Sequence, residues 1–378
     1  MNRKFRQVVE SIERLISLPI RVFPRRKEVA VVRLDALGDF VVWLAAARHL
    51  RDVYPNDHIV LYVGRSLVDL ASEIDYWDEI VPIDRRYLNP KRPSRRLLLL
   101  LKVRRRRYRL VVQPTFSRQY FYGDALIRAS AAPVKIGYDG DMANISSDQK
   151  RVSDSWYTKL VSSIDSDNSE YHRNKHFMQV LGARIREERL ADLPQRDTEL
   201  SRMLSTLDYI AVAPGSSVRN RNWPVHRFGQ IGKNYSTMHG CQVVVCGGVD
   251  ERDLCQEVCE AIGETAINLC GMTTHVDLIQ LIRGARLLLS NETSYAHIAA
   301  AVGTRSIVVL GGGHFGRFMP YPSINACQGR LPVPAYEQLD CYGCNWHCIY
   351  SLEHGAPFPC IDLVTEKSVW DKLAAVEM

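Results

Sequence analysis

No uninterrupted apolar run in this 378-residue chain approaches the roughly 18 residues that span a bilayer, so no transmembrane helix is expected. The N-terminus lacks a continuous apolar h-region and a small-residue cleavage site, which reads against a secretory signal. Internal repeats and coiled-coil heptads are absent as well, which argues against solenoid and fibrous architectures. Acidic residues are missing from one whole stretch: residues 91 to 109, KRPSRRLLLLLKVRRRRYR, hold ten Lys or Arg and no Asp or Glu. That stretch also lacks interleaved aromatics and any nucleic-acid motif, so nucleic acid is not the expected partner.

What is present suits a large globular protein. With 46% hydrophobic and 24% charged residues, a chain of this length buries one large core or, on the better reading, two. Ten cysteines, several in strand-like runs such as Cys246 and Cys270, imply buried thiols in a reducing compartment. The expected location is therefore the cytoplasm. The net charge of +7 is uneven: residues 1 to 28 and 91 to 109 together carry +15, leaving about −8 on the rest.

In the first basic segment Phe5, Val8, Val9, Ile12, Leu15 and Ile16 recur at helical spacing. Two readings stand: a helix lying on an anionic membrane surface, peripheral to the inner membrane, or a helix docked on the protein with a solvated basic face. In the second segment Arg95, Arg96, Arg104 and Arg105 are candidate contacts for an anionic acceptor or for lipid headgroups beside it.

Strand-like and helix-like runs alternate along the chain. Residues 29–34, 58–63, 79–83, 110–113 and 134–137 read as strands of a first series. Residues 209–213, 242–246, 266–269, 287–290 and 305–310 read as a second. Such alternation means parallel sheets with right-handed crossovers. The expected fold class is thus α/β, with two doubly wound Rossmann-like domains facing a central cleft. The expected limits are a basic amphipathic segment (1–28), a first domain (29–200), a second (201–362) and a terminal helix (363–378) closing over the cleft.

In VAVVRLDALGDFVVWLAAARHL (29–50), a strand passes through Asp35-Ala36-Leu37-Gly38-Asp39 into a helix. Nucleotide-binding folds usually place several glycines there to cradle phosphate; this turn has one glycine and two carboxylates. Asp35 reads as a surface turn residue. Asp39 reads equally as a helix N-cap or as a functional carboxylate.

Phosphate-friendly chemistry lies in the second series. AVAPGSSVRNRNWPVHRF (211–228) brings Gly215, Ser216, Ser217, Arg219 and Arg221 ahead of a helix opened by Trp223-Pro224. That set suits a diphosphate without a metal, though an ordinary loop with surface arginines is the plain alternative. In LLLSNETSYAHIAAAVGTRSIVVL (287–310), Thr293 or Ser294 caps a helix whose free N–H groups suit phosphate. Glu292 suits sugar or ribose hydroxyls, and His297 is either a donor contact or a satisfied core histidine. GGGHFG (311–316) only loosely matches a dinucleotide fingerprint. It reads as a loop that brings backbone at Gly312 and Gly313 close to a donor. An NAD-dependent oxidoreductase built on that loop is the outlying alternative.

A cysteine group completes the inventory: Cys341-x2-Cys344-x3-Cys348-x11-Cys360, in a loop rich in Gly and Pro. Four soft ligands fit a closed tetrahedral centre holding structural zinc, or iron in an Fe–S4 arrangement. Free thiols or a disulfide remain open.

Taken in order, VRLDALGDFV, EYHRNKHFMQVLG, APGSSVRNRNWPVHRF and NETSYAHIAAAVGTRSIVVLGG resemble glycosyltransferase family 9. This is the family of bacterial ADP-heptose transferases that includes the lipopolysaccharide core heptosyltransferases. The resemblance covers about residues 29 to 365. It implies a GT-B fold and inversion at the anomeric carbon, without a catalytic metal. The donor it implies is ADP-heptose; the acceptor is a lipopolysaccharide or oligosaccharide core sugar.

Carried over by position, Asp39 matches the family's catalytic base, Arg221 a donor-phosphate Lys, Glu292 an Asp on the donor's sugar and ribose side, and His297 the block's histidine. Three departures stand out: Arg for Lys, Glu for Asp, and Ser294 for glycine. Arg keeps the charge and adds bidentate binding. Glu adds a methylene, so the donor sits differently or its sugar is not heptose. The cysteine group resembles the tail of a branch that heptosylates autotransporter adhesins. This favours iron, and adds serine on an adhesin as an alternative acceptor. A non-catalytic nucleotide-sugar binding protein is the remaining alternative.

Overall fold

Val29 to Val32 are small or β-branched and follow one another without a polar break, the pattern of a strand covered on both faces. The computed structural model describes residues 27–163, 169–325 and 330–377 and places Val29 to Val32 in strand β1 (Glu28–Arg33), buried along its length. β1 lies parallel between β2 (His58–Gly64) and β4 (Leu110–Gln113), with Val31 opposite both Leu61 and Val112. Adding β3 (Glu79–Ile83), β5 (Val134–Tyr138) and β6 (Lys159–Val161), the sheet runs β3-β2-β1-β4-β5-β6. Every neighbouring pair is parallel.

A second parallel sheet takes β7 (Tyr209–Ala213), β8 (Gln242–Val245), β9 (Ala266–Asn268), β10 (Leu288–Asn291), β11 (Ser306–Val309) and β12 (Val333–Ala335). Its order is β12-β11-β10-β7-β8-β9, the same winding as the first when counted from its own first strand. The α/β class with two doubly wound sheets is therefore what the chain adopts. The strand series read from the sequence omits β6 and β12, which at three residues each are too short to show a period. In each sheet the strand order reverses at one place, between β1 and β4 and between β7 and β10. Open α/β sheets bind ligands beyond the strand C-termini at that point.

The chain divides into two compact units. Among the described residues, the first holds those up to Phe40, within Ala46–Asp167 and within His172–Ile185. The second holds Val41–Ala45, those within Asn168–Tyr171, and those from Arg186 onward. The first unit's core gathers Val60, Tyr62, Val111 and Ile127, with the Tyr62 and Tyr108 hydroxyls paired at 2.7 Å.

In the second unit the Val225–His239 helix turns Phe228, Ile231 and Tyr235 inward. The terminal Glu366–Glu377 helix adds Val369 and Leu373 to the same cluster. Trp223 locks that end in place by donating its indole N–H to the Val364 carbonyl at 2.7 Å. The basic amphipathic segment expected at 1–28 lies outside the described residues up to position 26. No helix among the described residues is long and apolar enough to cross a membrane.

Candidate active site

At the C-terminal end of β1 stands Arg33, fully buried. A buried guanidinium needs compensation, and here it comes from several sides. Nε pairs with the Asp35 carboxylate at 2.9 Å, Nη2 donates to the Asp39 carbonyl at 3.1 Å, and Nη1 donates to the Pro114 carbonyl at 3.3 Å. Asp35 also accepts from the Thr115 hydroxyl at 2.8 Å. Asp35 is therefore not a surface turn residue; it neutralises a buried cation and ties β1 to the segment after β4.

Asp39 sits in the first turn of the Leu37–Ala47 helix, two residues inside its start and partly exposed. The N-cap reading is corrected accordingly: the carboxylate lies within the helix, where the dipole favours it. Its main chain is held from below by Arg33.

The second unit's reversal point has a different character. Asn291, at the end of β10, donates to the Pro214 carbonyl at 2.6 Å and accepts from the Trp223 N–H at 3.0 Å, stapling both ends of the 214–223 loop to one strand. Inside the loop the Ser216 hydroxyl donates to Asn222 Oδ1 at 2.7 Å. Arg219 and Ser217 are exposed, whereas the Arg221 side chain keeps only 15% of its surface. Arg221 Nη2 donates to the Glu292 carbonyl at 3.2 Å and lies 3.9 Å from its carboxylate. Burial lowers the Arg221 pKa below its usual value, with Glu292 acting against that shift.

Glu292 is 6% exposed, and neither carboxylate oxygen has a hydrogen-bond partner. Burial pushes its pKa up to about 7, opposed by the Arg221 charge. Buried acceptors are satisfied in nearly all folded proteins, so this pair of oxygens marks a place for an incoming donor such as a hydroxyl. Thr293 stands at the N-cap of the Ser294–Val302 helix, but its hydroxyl makes no cap bond. The capping expected of Thr293 or Ser294 is thus not made. Helix N–H groups, a guanidinium and an unsatisfied carboxyl meet at one strand end. The combination suits a phosphate joined to a polyol.

Other expected contacts fall elsewhere. His297 is 4% exposed, with Nδ1 2.6 Å from the Tyr321 hydroxyl, and burial drops its pKa to about 4. Of its two readings, the structure favours the satisfied core histidine, since a neutral buried ring fixes the helix rather than meeting a ligand. Gly312 and Gly313 do not bring open backbone to a donor. Cβ atoms there would fall 2.4 Å from the Tyr342 ring and 2.2 Å from the Trp346 ring, so the close approach is to aromatics.

Arg96 is 1% exposed and spends its guanidinium on the Leu88 and Phe121 carbonyls, which removes it from any acceptor or membrane surface. Arg95 and Arg105 are exposed on the same Pro93–Arg106 helix, and Arg104 is partly buried with its pKa lowered by desolvation.

Two residues missed in sequence are Glu251 and Trp346. The Glu251 carboxylate packs against Gly215, where any Cβ would come within 2.0 Å of it; burial raises its pKa. A glycine is required there for that reason. Trp346 lies with its ring centroid 4.1 Å from the Arg221 guanidinium carbon. A single acid after a loop glycine and a lone tryptophan carry no spacing signal.

The four cysteines expected to bind metal line one small pocket with Gly312, Leu339, Trp346 and Phe358, and all four are free thiols. Burial, and then the charges of the other three, raise the Cys360 pKa. The donor set fits a soft metal. Among the described residues, however, no group of three Cys, His, Asp or Glu is arranged to hold an ion.

Two doubly wound parallel sheets with this shared winding match the GT-B fold. The model of glycosyltransferase family 9 (heptosyltransferase) matches residues 99–340, and the chain belongs to that family. The lipopolysaccharide core heptosyltransferase OpsX of Haemophilus influenzae is 22% identical over 317 residues, 79% of this chain and 83% of that one. The Escherichia coli ADP-heptose lipopolysaccharide heptosyltransferase II superposes with a TM-score of 0.68 at 15% identity, covering 92% of this chain and 98% of that one. TibC of enterotoxigenic E. coli, described as a dodecameric iron-containing heptosyltransferase, superposes with a TM-score of 0.53 at 13% identity, covering 94% of this chain and 77% of that one.

Proposed function

We propose that this glycosyltransferase moves a heptose from ADP-heptose to a core sugar of lipopolysaccharide or a related oligosaccharide, inverting the anomeric centre. The observation that carries the reading is the Arg221–Glu292 pair: a guanidinium beside a buried carboxyl that lacks hydrogen-bond donors. A nucleoside diphosphate sugar supplies what both lack, since its phosphates pair with Arg221 and its hydroxyls donate to Glu292. ADP-heptose as the particular donor is supported by the family and by the relatives' names.

In this reading the first unit supplies the base. The Asp39 carboxylate accepts the proton of the acceptor hydroxyl as that oxygen attacks the anomeric carbon. The bond from that carbon to the diphosphate breaks, and the electron pair leaves on ADP. Arg221, the more exposed Arg219 and the N–H groups at the Ser294–Val302 helix stabilise the developing charge. No metal takes part in the transfer. In the same reading Cys341, Cys344, Cys348 and Cys360 would converge on a zinc or iron ion whose part is structural, fixing the loop that covers Gly311–Gly313. Arg95 and Arg105 keep a cytoplasmic enzyme beside an anionic lipid-linked acceptor.

The test is turnover with a panel of ADP- and UDP-sugars against lipid A-core and adhesin fragments. ADP release that requires both the core acceptor and Asp39 supports the proposal. Release with the adhesin fragment alone moves the acceptor to serine, and nucleotide binding without any turnover makes the protein a binder.

A further inference from the structure

The cysteine loop does more than cover the end of β11. At its centre, flanked by Cys344 and Cys348, Asn345 and Trp346 both take positive φ, 50° and 61°. Asn tolerates that region and Trp does not, so the loop holds Trp346 against its backbone preference. Several contacts enforce this. The Asn345 and Gly343 N–H groups donate to the Gly313 and Gly312 carbonyls at 2.9 and 2.8 Å. The Asn345 side chain lies 2.9 Å from His314 Nε2, and the Trp346 indole donates to His314 Nδ1 at 3.2 Å. Phe358 stacks on the indole with centroids 5.6 Å apart and planes at 29°. The indole fits only because Gly313 has no Cβ.

All this constraint delivers one face of the indole to Arg221, 4.1 Å from the guanidinium carbon. A guanidinium stacked on an aromatic face loses rotational freedom while its in-plane N–H groups stay available. We propose that Trp346 is a positioning residue: it fixes the plane of Arg221 so that the guanidinium meets the donor's diphosphate preformed, and the strained cysteine loop exists to hold it there. This rests on the functional reading above, because it takes Arg221 as the diphosphate's partner.

The experiment measures ADP affinity of the full chain by calorimetry for Trp346→Phe, Trp346→Leu and Trp346→Ala, each alone and with Arg221→Ala. Trp346→Phe keeps a π face and is expected within about threefold of wild type. Trp346→Leu keeps apolar packing over Gly313 without the π face and is expected to bind about tenfold more weakly, as is Trp346→Ala. In the Arg221→Ala background the tryptophan substitutions change nothing further, because their effect passes through the arginine.

A purely structural role predicts the opposite pattern: Leu and Phe alike, and losses that add to that of Arg221→Ala. Either result overturns the proposal. Because ADP binding by the Leu and Phe variants is compared directly, a misfolded Ala variant does not blur the outcome. Wild-type protein that binds no ADP overturns the functional reading and this proposal with it, whereas wild-type binding with an unaltered Leu variant overturns this proposal alone.

Discussion

The same six-stranded winding occurs twice in this chain, and the two reversal points are charged in opposite ways. At the end of β1 the buried group is a cation, Arg33, surrounded by its own carboxylate and two carbonyls. At the end of β10 the buried group is an acid, Glu292, with no hydrogen-bond donor and a guanidinium 3.9 Å away. The first charge is ion-paired within the protein; both carboxylate oxygens of the second lack a hydrogen-bond partner there. Topology places both groups, and the missing donors mark the second as the candidate binding site.

The largest effect is expected beside the first reversal point, where Arg33 holds the main chain of Asp39. Asp39→Asn is expected to reduce ADP release roughly 1000-fold, as loss of a general base does. ADP affinity is expected to stay at the wild-type value, which initial rates and calorimetry together check. Breaking the scaffold comes next. Arg33→Met leaves Asp35 without its cation and two carbonyls without donors, so unfolding in urea should show a loss on the order of 3 kcal/mol. Nucleotide affinity in the folded fraction is expected to hold.

Glu292→Gln sharpens the contrast. Gln is neutral, and donor binding is expected to weaken roughly tenfold because hydrogen bonds to a charged acceptor are the stronger ones. The pH dependence has a definite sign. A carboxyl whose folded pKa stands at about 7, above the ordinary 4.5, holds its proton more tightly when folded. Its contribution to stability is complete below pH 4.5 and is lost as pH rises through 7. The ligand-free wild type is thus expected to lose stability across that window, by up to about 3 kcal/mol. The Gln variant should show a flatter profile by thermal melts. The smallest effect belongs to the surface: Arg95→Glu with Arg105→Glu is expected to weaken sedimentation with anionic vesicles about tenfold, leaving turnover on a soluble acceptor fragment unchanged.

Much of the fold was legible because its signals are local. The runs around Val29, Val60, Val111, Ile210, Val243 and Leu289 are continuous and apolar, as strands buried on both faces must be. β6 and β12 escaped because three residues show no period. Arg221 and Glu292 were legible from their place after a strand and before a helix.

The roles of Asp35, Arg96, Gly313 and Trp346 were not. Whether an arginine in a basic run is free or spent depends on carbonyls eight and twenty-five residues away, as with Arg96. The glycines of GGGHFG read as backbone brought close to a donor, but the Tyr342 and Trp346 rings from a later loop account for Gly311, Gly312 and Gly313.

Patterns of neighbouring side chains were enough to specify two parallel sheets and the turns at their ends, since burial on both faces and helix starts act over a few residues. Which charges at those ends are paired, and which lack hydrogen-bond donors, was set by residues brought together from distant positions. Desolvation and hydrogen bonding depend on what surrounds a group in space, and no stretch of sequence states that.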